Sequence, residues 1–180
     1  MLHASTASML QESLPEYLCA ARWCVQFRKD DSWPAPGRLG YPAALMLFCI
    51  ADSIGSYHRR GHGGILATVD GKPAKIGLSG PSRLYVLNTE YYGQTLSHAE
   101  IAQLYSRFRG VLVHNAALAP DWHLISKPAL PDAFPQFGGQ LSVNIDGFLR
   151  VSERAVAAFL ERAPVVVPGS EQEADIARKR

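Results

Sequence analysis

The chain has 180 residues, 47% of them hydrophobic and 19% charged, which suffices to bury the core of one domain and excludes a disordered or fibrous polymer. Its formal net charge is only +2, so the field of the whole molecule gives little reason to expect strong, sequence-blind attraction to nucleic acid, and any such contact must be local.

Residues 1–9 lack the basic start, uninterrupted apolar core and small-residue cleavage site of a signal peptide. The first helix is expected over residues 15–29, with Ser13 as cap and Glu16 completing a capping box. Leu14, Leu18, Ala21, Cys24 and Val25 form its apolar stripe. Cys19 and Cys24, five apart here, make an odd set with Cys49 and read as reduced core residues rather than a metal knuckle.

Residues 30–42 hold Pro34, Pro36, Gly37 and Gly40 and read as a loop. A second helix is expected over residues 43–57, apolar on nearly every side through Leu45, Met46, Leu47, Phe48, Ile50 and Ile54, and so central in a bundle. The apolar run 42–51 is too short to cross a bilayer before Asp52 interrupts it, and the expected location is the cytoplasm. Asp52 needs an ionic partner if buried, or a solvated helix end, unless it serves catalysis.

Residues 58–64 read HRRGHGG, a basic glycine-rich loop that suits either a phosphate contact or a solvated helix exit. His58 and His62 have the spacing of a helical metal pair, but the glycines argue against a helix that holds them. A short hairpin is expected from residues 65–69 and 72–76 around Asp70-Gly71, with Pro73 confining the second strand to an edge or a loop. Residues 82–92 suggest a brief helix with Leu84, Leu87 and Tyr91 on one side.

Ser97 and Glu100 then form a capping box ahead of Ile101, Leu104, Tyr105, Phe108, Val111 and Leu112, which predicts a helix over residues 98–115. Beyond it, residues 123–126 and 141–143 suggest paired strands within a proline- and glycine-rich connection. A last helix is expected over residues 146–162, ending before Pro164, and residues 170–180 read as a frayed tail. The expected architecture is mainly α: an antiparallel helical bundle over residues 10–165, minor β hairpins in the connections, and a flexible tail over 166–180.

The residues able to do chemistry lie on the capped helix. Arg107 and His114 are seven apart and return to nearly the same face, whereas Arg109 lies about 140° round on the other flank of the apolar stripe. An imidazole with a near-neutral pKa moves protons, and a guanidinium offers a planar donor fork to phosphate oxygens. A plainer reading has His114 closing the helix C-terminus, where a cation is favoured, with the arginines on the surface or in ion pairs. Walker, Rossmann, HExxH and GxSxG patterns are absent from the sequence.

The segment LYSRFRGVLVHNAAL, residues 104–118, resembles the HEPN superfamily, helical-bundle domains whose ribonuclease members carry an arginine and, four to six residues on, a histidine. Residues 43–57 and the last helix with its preceding LSVNIDGF are also similar to bacterial members. The resemblance implies RNA cleavage that needs no metal or other cofactor, with Arg109, His114 and Arg107 catalytic and Asn115 and Tyr105 contacting substrate. It further implies a homodimer whose two motifs converge, an RNA substrate, and an inhibitor or antitoxin protein as partner. Active members usually place a polar residue after the arginine; here Gly110 follows Arg109, which leaves noncatalytic binding of nucleotide, RNA or protein as the alternative.

Overall fold

The computed structural model describes residues 3–110, 112, 118 and 122–179. Helix α1 spans Thr6–Gln26 and begins well before the expected Ser13 cap. Ser5 and Ser8 form the capping box instead, each side chain accepting the other's amide at 3.1 Å. Thr6, Leu10, Leu14 and Leu18 are all buried, so the apolar stripe extends back past Pro15 and carries the helix with it. Pro15 costs one intrahelical hydrogen bond, but Pro15 and Gln11 are both exposed, so water can meet the carbonyl left without a donor. Of the cysteines, Cys24 is buried and Cys49 half-buried, but Cys19 is exposed on the outer face of α1, not in the core.

Helix α2, Gly40–Ser56, is the central element. Ala43, Ala44, Leu47, Phe48, Ile50, Ala51 and Ile54 are buried, and the helix packs against α1, the carboxy-terminal long helix and a 3-10 segment, Gly80–Asn88. That 3-10 segment replaces the brief helix expected over 82–92. Strands β1, Ala67–Val69, and β2, Lys72–Ala74, form the expected antiparallel hairpin.

Helix α3, His98–Gln103, starts at the Ser97–Glu100 capping box and runs into a π-helical turn, Leu104–Arg109, in which the Gly110 amide donates to Tyr105 O. Ile101, Leu104, Phe108 and Leu112 are buried, as their spacing predicts. Strand β3, Leu124–Ile125, pairs with β6, Val143–Asn144, in parallel rather than as a hairpin. Between them, β4, Gln136–Phe137, and β5, Gln140–Leu141, make a small antiparallel pair. Asn144, wholly buried, holds the 127–132 connection: its Nδ2 donates toward the carbonyls of Lys127, Leu130 and Asp132, and its Oδ1 accepts the Lys127 amide.

Helix α4, Ile145–Val166, continues through Pro164, and its buried face, Phe148, Val151, Ala155 and Phe159, closes the core against α1 and α2. Residues 171–179, expected to fray, form helix α5, Glu171–Lys179. The Ser170 hydroxyl accepts the Glu173 amide at its start, and Arg60 pairs with Glu171 at 3.1 Å. The molecule is mainly helical with small strand pairs, and among the described residues no helix is long and apolar enough to cross a membrane.

Candidate functional site

The capping box tethers the start of α3. Glu100 Oε2 accepts the Ser97 amide at 2.8 Å, and its Oε1 accepts Gln136 Nε2 at 2.9 Å, joining the helix to the β4–β5 pair. Burial pushes the Glu100 carboxyl up, but the hydrogen bonds from Ser97 and Gln136 together outweigh it and hold the group below the usual carboxylate range.

At the other end, the π turn separates the two arginines. Phe108, between them in sequence, is buried against Phe48 of α2 and edge-on to Trp122, ring centroids 5.2 Å apart. Arg109 turns inward: its Nη2 donates to Asp52 Oδ2 at 2.9 Å, and its guanidinium carbon lies 5.7 Å from the Tyr105 ring. Arg107 is exposed, with its guanidinium carbon 6.0 Å from the Trp122 ring. Arg107 and His114 share a face only where α-helical spacing holds throughout, and the wider π turn changes that angle. His114 and Asn115 lie outside the described residues.

Asp52, which the sequence required to find a partner, has two. Arg83 from the 3-10 segment donates through Nε to Oδ1 and through Nη2 to Oδ2, both at 3.0 Å. The carboxylate side chain is 16% exposed and that of Arg109 is 19%, so this cluster is mostly buried and keeps a small solvent-facing fraction. Two guanidinium groups against one carboxylate leave the cluster with one net positive charge. Among the described residues Arg109 uses only Nη2 in a hydrogen bond, and its fork keeps further donors.

The HRRGHGG loop does other work. His58 is fully buried; its Nδ1 lies 3.1 Å from the His62 carbonyl, which can only accept, so Nδ1 carries the proton and Nε2 accepts from the Tyr91 hydroxyl at 3.1 Å. Burial, with the Arg162 charge adding to it, lowers the His58 pKa. His62 Nε2 points to Val166 O at 2.9 Å, so the two imidazoles tie the loop to the core and to α4 rather than converging on a metal. No group of three or more metal-ligating side chains occurs among the described residues.

A second polar site escaped sequence reasoning. Arg38, just before α2, donates from Nη1 to Asp146 Oδ1 at 2.9 Å, and the Ser126 hydroxyl donates to Oδ2 at 2.7 Å. These side chains come from three distant parts of the chain, and the only hint was an acidic residue in the first turn of an otherwise apolar helix start. They back an open cavity of about 500 Å³ between the end of α1, the start of α2 and residues 122–126. Comparison of the chain with family models, with curated proteins and with solved structures returned no match.

Proposed function

We propose that the chain is a HEPN-like domain that binds RNA and cleaves it without a metal, using Arg109, Arg107 and His114 at a site shared by two copies. The observation that supports this best is the state of Arg109. Its guanidinium is fixed by Asp52 through one nitrogen, while the Arg83–Asp52–Arg109 cluster keeps a net positive charge and a small exposed fraction. A pre-positioned cation of this kind stabilises charge that develops on a phosphate without reorganising during reaction.

In the proposed reaction the ribose 2′-oxygen attacks the adjacent phosphorus while the bond from phosphorus to the 5′-oxygen breaks. His114 takes the proton of the attacking hydroxyl or supplies one to the leaving oxygen, and the products are a cyclic phosphate end and a free 5′-hydroxyl. Arg109 and Arg107 hold the phosphate oxygens, and Tyr105 and Asn115 flank the strand. A dimer in the cytoplasm, held in check by an inhibitor protein, is the setting this chemistry suits.

A second reading, RNA or nucleotide binding without turnover, is favoured by two observations. Asp52 already takes part of the Arg109 donor capacity, and Gly110 offers no polar side chain after it. Turnover of a labelled RNA by purified protein separates the two. Cleavage that survives chelator, requires the 2′-hydroxyl and is abolished in His114→Ala and Arg109→Ala is the expected result, with melting and sedimentation unchanged. Equal turnover by His114→Ala removes the site assignment, and a wild type that binds but never cleaves establishes the second reading.

A further inference from the structure

We propose that the open cavity beside Trp122 holds the strand that leads away from the Arg107–Arg109 end of α3, binding one phosphate and one base of single-stranded RNA. This rests on the RNA-cleavage proposal, and it names a binding path that the arginine and histidine motif does not include.

The cavity, about 500 Å³, has the size of a nucleotide-binding cleft. Arg28, Lys29 and Arg38 bring three cations to its wall, His123 adds an imidazole, and no carboxylate lines it. Arg38 is neutralised from behind by Asp146, and its side chain is only 13% exposed, so it is a fixed wall rather than a free arm. Its Nε is buried with no hydrogen-bond partner among the described residues. Arg28, by contrast, is exposed and free to follow a phosphate.

Beside these side chains, the first amides of α2 add donors. Leu39 supplies no side-chain cap and the first turn has no acidic residue, so the Gly40 and Tyr41 N–H groups have no intrahelical acceptor, and both residues line the cavity. Tyr41, 49% exposed, is an aromatic residue lining the cavity, which suits the stacking of an unpaired base. Trp122 lines the cavity and also lies under Arg107, so the cavity and the candidate cleavage site share a wall. A duplex offers no free base face to Tyr41, whereas a single strand offers both the phosphate and the ring.

The test is fluorescence anisotropy with a labelled single-stranded RNA of about ten nucleotides, a length on the scale of single-strand binding sites. It is run in the His114→Ala background so that cleavage does not consume the probe. Arg28→Glu should weaken binding about tenfold and flatten the dependence of log Kd on log salt by about 0.7, the share of one phosphate contact. Tyr41→Ala should weaken it about tenfold, and Tyr41→Phe should restore it, because the ring and not the hydroxyl carries the stacking. Arg154→Glu, an exposed change on α4 outside the cavity, should leave binding within about twofold of the parent.

Unchanged binding in Arg28→Glu and Tyr41→Ala overturns the proposal, as does the absence of RNA binding by the parent at low salt. Failure of the cleavage reading shows differently. RNA bound through Arg28 and Tyr41 but never cut by the wild type keeps the cavity and removes the catalysis. Cleavage with a KM untouched by Arg28→Glu keeps the catalysis and removes the cavity.

Discussion

His58 shows how a residue that suggests chemistry can be spent on structure. With both ring nitrogens engaged and no exposure, it is held neutral, and burial depresses its pKa below the ordinary histidine value. The unfolded chain takes up a proton near pH 6.5, whereas the folded chain resists until a lower pH. Stability is therefore fully present above about 6.5 and is lost as pH falls through the depressed folded value. The groups that face this imidazole are Tyr91, His62, Arg162 and Glu90. Thermal melts between about pH 7.5 and about pH 5 should show a falling midpoint, and His58→Gln, though less stable at neutral pH, should show a shallower fall. An equally steep fall in the variant would assign the acid sensitivity to another group. Asp52 shows the converse: its need for a partner was evident from a charge inside an apolar helix, but which arginines would reach it was not, since Arg83 and Arg109 are brought to it only by tertiary packing.

Among the elements, those written in neighbouring residues were legible in advance. The Ser97–Glu100 box marks the start of α3, and the Asp70-Gly71 turn sits between β1 and β2. What depends on contacts far along the chain was not. The π turn at Leu104–Arg109 leaves the apolar periodicity almost intact, so periodicity alone does not reveal it. The start of α1 at Ser5 was hidden by Pro15, whose exposed position makes its cost bearable, and the parallel β3–β6 pair joins segments too short to signal their partner. Gly147 is another case, because only the fold shows why it must be small: a Cβ there would lie 2.4 Å from Asp132 O and 3.0 Å from the Ala133 Cα. Both are backbone atoms that no rotamer change can clear. Alanine's helix preference favours Gly147→Ala by about 1 kcal/mol, whereas overpacking against fixed backbone costs about 1–3 kcal/mol or more. Given so short a contact, the clash should win by about 1–2 kcal/mol, read as a lower urea midpoint. An unchanged or higher midpoint would mean that the 132–133 connection is not seated on α4.

At the scale of the whole molecule, the proposed site has a geometric difficulty that the proposed second copy would relieve. Within one chain the two arginines part company, Arg109 inward to Asp52 and Arg107 outward to Trp122, so one π turn does not present both to a single phosphate from the same side. Two copies related by a two-fold axis through this end of α3 would let Arg109 of one chain and Arg107 of the other meet one phosphate, and the proposed shared site has the arginine of one chain work with the histidine of the other. That proposed division of labour would leave a mark that a single-chain site lacks. Arg109→Ala and His114→Ala, each inactive alone, are mixed under conditions in which the subunits exchange. Random exchange makes half of the dimers mixed, and each mixed dimer carries one site with both its arginine and its histidine intact, so activity should return to about one quarter of wild type. Sedimentation of the mixture, with one variant carrying a mass tag, checks that mixed dimers have formed. Mixed dimers without recovered cleavage would show that arginine and histidine are not supplied by different copies, and a chain that sediments as a monomer while cleaving RNA would place the whole reaction within one chain.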